Sequence, residues 1–189
     1  MQLVFATHNQ NKFIEVQAIL PQSIELLSLN DINCHEDIAE TANTIEGNAQ
    51  LKAEYVFKNY NLPCFADDTG LFVNQLNGEP GVYSARYAGQ QKDAQANIQK
   101  LLKNLLNVED RSAYFKTVIA LKTKNDNILF TGLCKGKITK TASGSAGFGY
   151  DPIFKPQGYT QTFADLQPKT KNKISHRGLA LQKFIDYLN

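Results

Sequence analysis

Cysteine is scarce in this chain, and no long apolar run is present. Only Cys34, Cys64 and Cys134 occur, far apart and with no CxxC pair, so neither a disulfide framework nor a zinc knuckle is suggested. No secretory apolar segment follows Met1, and a reducing cytoplasm is the expected setting. No stretch approaches the roughly 18 apolar residues that a membrane span needs, which argues against a membrane partner. Repeats and low-complexity tracts are absent as well. Excess charge of either sign is also missing: 20 Lys and Arg stand against 18 Asp and Glu. No global field therefore points to a nucleic acid polymer or a lipid surface, and partners have to be read from local sites. The 189 residues suffice for one domain, 1–189, with a sizeable core.

What is present reads as strands alternating with helices. "QLVFAT" is a short buried strand, and Phe13, Val16, Ile19 and Leu20 recur at helical spacing before Pro21. "SIELLSL" reads as a strand. Thr44 is the expected N-cap of a helix running to about Tyr60, with Ile45, Ala49, Ala53, Val56, Phe57 and Tyr60 on one face. "PCFADD" and "LFVNQL" read as two strands with Asp67 to Gly70 at the bend between them. Asp93 is expected to cap a helix to Leu106 carrying Ala94, Ile98, Leu101, Leu102 and Leu105 inward. "AYFKTVIALKT" alternates at Phe115, Thr117, Ile119 and Leu121 and turns through "KNDN" into "ILFTGLCKGKI". Ser175 reads as the cap of a closing helix with Leu179, Leu181, Phe184, Ile185 and Leu188. Strand and helix alternate in the first half and a hairpin appears in the second. The expected class is α/β with a mixed sheet flanked by helices.

Four segments are polar where packing alone would not require it. In "THNQNK", residues 7–12, neutral hydrogen-bonding groups precede Lys12, a cation in a first helical turn where it opposes the helix dipole. A phosphate group would reverse that penalty; a solvated surface lysine is the plain alternative. Glu40, with Lys52 on the following helix, is the second segment and Asp67-Asp68 the third. Oxygen donors without thiols or a histidine cluster suit a hard ion such as magnesium, with a carboxylate as base toward water. A turn-capping pair is the structural alternative. Asp68-Thr69-Gly70 also spells the D-T-G of aspartic proteases, a reading that leaves Lys12 and Lys52 without a task. The fourth segment, "KTKNKISHRG", gathers Lys169, Lys171, Lys173, His176 and Arg177 at a helix start. It reads as a base-binding element or as a basic solvated loop. Upstream, Phe148, Gly149, Tyr150 and Asp151 offer aromatic faces for stacking or for closing a hydrophobic loop.

In this order, "THNQNK", "ETANTIEGNAQLKA", "ADDTGL", "PGVYSARYAG", "FGYDPIF" and "KNKISHRGLAL" resemble the Ham1-like family of inosine triphosphate pyrophosphatases, over nearly the whole chain. The resemblance implies hydrolysis of ITP, dITP and XTP to the monophosphate and pyrophosphate with Mg2+, in a cytosolic homodimer that clears deaminated purines. It implies an elongated α/β domain with a long twisted mixed sheet and two lobes around a central cleft. Carried over by position, Thr7, His8, Asn9, Gln10, Asn11, Lys12 and Lys52 hold the triphosphate, and Glu40 and Asp68 bind the metal. Asp68 is also the catalytic base. Thr69 touches substrate, and Phe148, Gly149, Tyr150, Asp151, Lys171, His176 and Arg177 enclose base and sugar. Two positions depart from the family pattern: His8 stands where glycine is common, and Thr69 where serine is. A non-catalytic nucleotide-binding module remains the other reading of the same residues.

Overall fold

A computed structural model describes residues 1–188. The described residues form β1 (Gln2–Phe5), α1 (Gln10–Gln17), β2 (Glu25–Leu27), α2 (Ile45–Tyr60), β3 (Cys64–Val73), β4 (Pro80–Gly81) and α3 (Ala94–Asn104). The second half adds β5 (Ser112–Lys122), β6 (Asn127–Ile138), β7 (Phe154–Pro156), α4 (Pro168–Ile174) and α5 (His176–Leu188). The sheet order is β2-β1-β3-β5-β6-β7, with β4 paired to β3. β1 runs parallel to β2 and β3, while β3–β4 and β6–β7 are antiparallel. The expected α/β class with a mixed sheet is observed. No helix among the described residues is long and apolar enough to cross a membrane.

The chain separates into two compact units. The first holds Met1–Asp68, Thr117–Gly132 and the chain from Arg177 onward; the second holds Thr69–Lys116 and Leu133–His176. The core of the first is built on Leu3, Phe5, Val16, Phe65, Ile119, Leu121, Phe130, Leu181 and Phe184. Phe65 stacks on Phe5 at 4.6 Å and meets Phe184 at 4.9 Å. The core of the second gathers Leu71, Val73, Ile98, Leu101, Phe115, Ile138, Phe154 and Phe163, with Phe154 edge-on to Phe115 at 4.7 Å.

Helix ends follow their capping chemistry. Thr44 accepts from the Gly47 N–H at the start of α2, and Asp93 accepts from the Gln95 and Ala96 N–H groups at the start of α3, as expected. α1 is shorter than its apolar spacing suggests. It ends at Gln17, and the Ile19 and Leu20 N–H groups close on the Val16 carbonyl, so both side chains still reach the core from a turn. Ala94 and Leu179 are exposed rather than inward-facing. The alternation expected in β5 gives way to an unbroken buried run from Thr117 to Leu121, as for a strand covered on both faces.

Two larger differences concern the polar segments. The stretch around Asp67 and Asp68 is not a bend between strands; β3 is one strand of ten residues with both carboxylates inside it. The closing basic segment is not a loop before one helix. Pro168 opens α4 as a separate short helix, and Ser175, in extended conformation, breaks it from α5.

Phe65 touches rings on both sides, so Phe65→Ala should cost about 3–5 kcal/mol of stability. Urea unfolding of the purified variant measures it.

Candidate active site

Side chains alternate along a strand, so Asp67 and Asp68 face opposite sides of β3. Each side brings its own cations. On one face, Asp67 is 1% exposed; its Oδ1 accepts from Lys12 Nζ of α1 at 2.8 Å and its Oδ2 from Arg177 Nε of α5 at 3.1 Å. Arg177 Nη1 reaches on to Glu15 Oε2 of α1 at 2.6 Å. Lys12 and Glu15 are three residues apart on α1, which puts both on the helix face that meets β3 and α5. On the other face, Cys64 Sγ donates to the Ala53 carbonyl of α2 and anchors that helix. Lys52, one residue earlier on α2, sits with Nζ 2.6 Å from Glu40 Oε1 and 3.6 Å from Asp68 Oδ1.

The electrostatics of the two carboxylates diverge. Burial alone would raise the Asp67 carboxyl, but Lys12, Arg177 and Lys52 outweigh it and hold the group well below the usual range. Asp68 goes the other way: burial dominates, Glu40 and Asp67 add to it, and Lys52 and Lys12 only partly offset it, so its pKa is raised. Burial lowers the Lys12 ammonium despite Asp67, whereas on Lys52 the pull of Asp68, Glu40 and Asp67 overcomes burial and raises the pKa. Asp68 Oδ2 is buried and accepts no hydrogen bond from protein. A raised, partly unsatisfied carboxylate beside a lysine is fitted to take a proton or to meet a cation. Asp67, held at both oxygens, is fitted to neither.

The loop between β1 and α1 uses its polar groups locally. Thr7 Oγ1 accepts from the Asn9 N–H at 3.1 Å and Asn9 Oδ1 from the Lys12 N–H at 3.2 Å, which shapes the turn and caps α1. Gln10 and Asn11 are exposed, and His8 Nε2 donates to the Glu36 carbonyl at 2.9 Å. A cavity of about 160 Å³ is lined by Thr7, His8, Gln10, Phe13, Ser28 and Asp31, among others.

The second unit brings together other predicted residues. Asp151 Oδ2 accepts from the Phe148 N–H and from Lys171 Nζ, each at 2.8 Å. The Lys171 ammonium lies 5.2 Å from the centre of the Phe148 ring and 5.9 Å from that of Phe163. Gly147, at φ +75°, must be a glycine, because a Cβ there would run into Asp151. Tyr150 Oη donates to the Ser84 carbonyl at 2.8 Å, and His176 is buried with its ring stacked 4.4 Å from Phe115. A larger cavity of about 1120 Å³ in this unit, bordered by Arg111, Tyr114, Lys135 and Tyr159, contains none of the residues singled out in the sequence. Of the residues identified from sequence, Lys12 and Arg177 meet at Asp67, and Glu40 and Asp68 meet at Lys52, in the first unit, while Phe148 and Lys171 meet at Asp151 in the second. Glu15 was missed, although its spacing from Lys12 was a readable signal.

The charge pattern invites comparison with known proteins, and the Ham1 family model matches residues 3–187. A dITP/XTP pyrophosphatase of Flavobacterium johnsoniae is 61% identical over 188 residues, covering 100% of this chain and 98% of that protein. The chain belongs to the Ham1 family. A dITP/XTP pyrophosphatase of Porphyromonas gingivalis is 51% identical, covering 99% of this chain and 97% of that protein. Among solved structures, the Ham1 protein of Staphylococcus aureus superposes with TM-score 0.91 at 40% identity, covering 100% of this chain and 98% of that one. The fold expected from the sequence is thus a Ham1 fold.

The Asp67 cluster gives a stability prediction. Its folded pKa lies below the unfolded value of about 4, so its stabilisation is present above that pH and is lost as pH falls through the folded value. Asp67→Asn should cost about 3–5 kcal/mol at neutral pH by leaving Lys12 and Arg177 uncompensated. In urea titrations across pH, the gap between the variant and the parent should stay flat above about pH 5 and narrow in stronger acid.

Proposed function

We propose that this Ham1 family chain hydrolyses dITP, XTP and ITP to the monophosphate and pyrophosphate. The observation that carries the reading is the arrangement around Asp68: a buried carboxylate of raised pKa, with one oxygen unsatisfied, beside Lys52 and Glu40. The names of the relatives at 61% and 51% identity supply the substrate class. Asp68 takes the proton of the attacking water, and its raised pKa makes it a better acceptor. Lys52 and Lys12 meet the departing phosphates, with the polar loop 7–12 positioning the chain of phosphoryl groups.

Glu40 and Asp68 are the residues fitted to hold Mg2+. They are hard oxygen donors, and the buried Oδ2 of Asp68 still lacks a hydrogen bond from protein. Among the described residues no cluster of three or more His, Cys, Asp or Glu is placed to hold an ion, so waters and substrate oxygens would have to complete its shell. When bound, the ion would offset charge on the phosphoryl oxygens. Asp67 is not a ligand in this reading. It holds Lys12 in place, with Arg177 behind it.

For the base, we assign Phe148 as a stacking face oriented by Asp151 and Lys171, with Gly149 and Tyr150 shaping the loop and Thr69 and His176 contributing polar contacts. Arg177 is assigned to the base by position; the bonds to Asp67 and Glu15 give it a second task of orienting Lys12. The chain is expected to act as a homodimer of one domain per chain, without a nucleic acid polymer or a membrane as partner. Its three buried free thiols support a reducing, cytoplasmic setting.

The experiment is a panel of nucleoside triphosphates with Mg2+, both phosphate products being identified. Turnover of ITP, dITP and XTP with pyrophosphate release is expected, with ATP and GTP disfavoured by up to about 10⁴ in kcat/KM if buried polar groups read the base edge. Comparable values for ITP, ATP and GTP would overturn the selectivity, and metal-independent peptide cleavage would favour the D-T-G reading. Asp68→Asn should lose at least about a hundredfold in turnover while retaining nucleotide binding. Near-normal turnover in that variant would remove Asp68 from the mechanism.

A further inference from the structure

We infer that the Lys52 ammonium is the built-in occupant of the cation position between Glu40 and Asp68. A divalent ion gains those carboxylates only by displacing it, and the displacement delivers Lys52 to the phosphates. The inference rests on the proposal that Glu40 and Asp68 are the metal's ligands and adds an order of events to it.

The geometry is that of one cation shared by two acids. Lys52 Nζ lies 2.6 Å from Glu40 Oε1 and 3.6 Å from Asp68 Oδ1, with Lys52 and Asp68 both buried. An ammonium and a divalent ion cannot occupy the same space, and two positive charges a few ångströms apart in a poorly solvated site repel strongly. Without a cation, Glu40 and Asp68 would face each other as like charges beside the middle of β3. Lys52 removes that cost in the resting protein.

The supporting elements differ in how readily they can yield. Lys52 projects from the middle of α2 and Asp68 from inside β3, both regular elements. Glu40 lies on an irregular segment, anchored nearby where the Ala42 N–H donates to Asn48 Oδ1 of α2 at 2.9 Å. The partner with freedom to move is thus the lysine side chain, with its four-carbon stem. Lys12 is not the occupant of this position: its ammonium is hydrogen-bonded to Asp67 Oδ1 at 2.8 Å, and its charge acts on Asp68 only through space. Lys52 therefore has two stations, one on the acids and one on the phosphates.

Binding of Mn2+, as a probe for Mg2+, to the nucleotide-free protein tests the inference by electron paramagnetic resonance. Lys52→Met should bind Mn2+ at least about tenfold more tightly than the parent, because an internal competitor has been removed. Lys12→Met, which removes an equal charge bonded to Asp67, should gain less than about threefold. Unchanged or weaker binding by Lys52→Met, or an equal gain in both variants, would overturn it. A second measurement needs only the parent protein. The NMR signal of the Lys52 ε-methylene, assigned by its absence in Lys52→Arg, should shift on titration with Mg2+ alone. A signal that stays fixed while Mg2+ saturates the protein contradicts displacement. The ligand assignment is separable: Glu40→Gln and Asp68→Asn should both weaken Mn2+ binding. If they do not, the metal reading falls together with this inference; if they do and Lys52→Met gains nothing, only the inference falls.

Discussion

Two adjacent carboxylates buried in one strand are the constraint around which the first unit is arranged. An uncompensated buried carboxylate would lose its proton only at great cost, and two neighbours would each worsen the other. The strand solves this with its own period. Because Asp67 and Asp68 face opposite sides of β3, one is met by Lys12 and Arg177 from α1 and α5, and the other by Lys52 from α2. The helices that cover the sheet are thereby also its counter-ions. A change in any of these charges is a change in both packing and chemistry.

The two acids take different work from nearly the same position. Asp67, saturated by cations, is a fixed anion that orients Lys12 and ties α5 to α1 through Arg177 and Glu15. Asp68, less compensated and with an oxygen still unsatisfied, keeps the capacity to accept a proton or a cation. Pairing a structural anion with a reactive one explains why the motif needs a second acid at all, which an aspartic protease loop does not. The two lysines proposed to meet phosphate are each paired with a carboxylate, Lys12 with Asp67 and Lys52 with Glu40.

Much of this was legible in the sequence. Thr44 and Asp93 announced their helices through cap chemistry, and the alternation of strand and helix gave the mixed sheet. Glu40 and Asp68 read as oxygen donors for one cation and Lys52 as a phosphate ligand, but nothing in the local pattern signals that Lys52 is paired with both acids. The bend expected at Asp67 was wrong for a physical reason: polar residues between apolar runs usually mark a turn, and only distant partners can hold them within a strand. Those partners, Lys12 and Arg177, lie 55 and 110 residues away. Local pattern does not carry such pairings. Likewise, the lysines at 169, 171 and 173 read either as a base-binding element or as a basic loop before one helix, whereas Pro168 and Ser175 divide the segment into two helices. The proposed base contacts rest on resemblance, because a stacking role for an aromatic residue such as Phe148 has no spacing signal of its own.

In the proposed mechanism Asp68 directs water at the phosphorus nearest the sugar, and the lysines receive the other two phosphates as one leaving group. Hydrolysis of ITP in water enriched in heavy oxygen, followed by phosphorus NMR of the products, tests this directly. The predicted result is one labelled oxygen in the inosine monophosphate and none in an intact pyrophosphate. Label in the pyrophosphate, or release of orthophosphate with the nucleoside diphosphate, would contradict it.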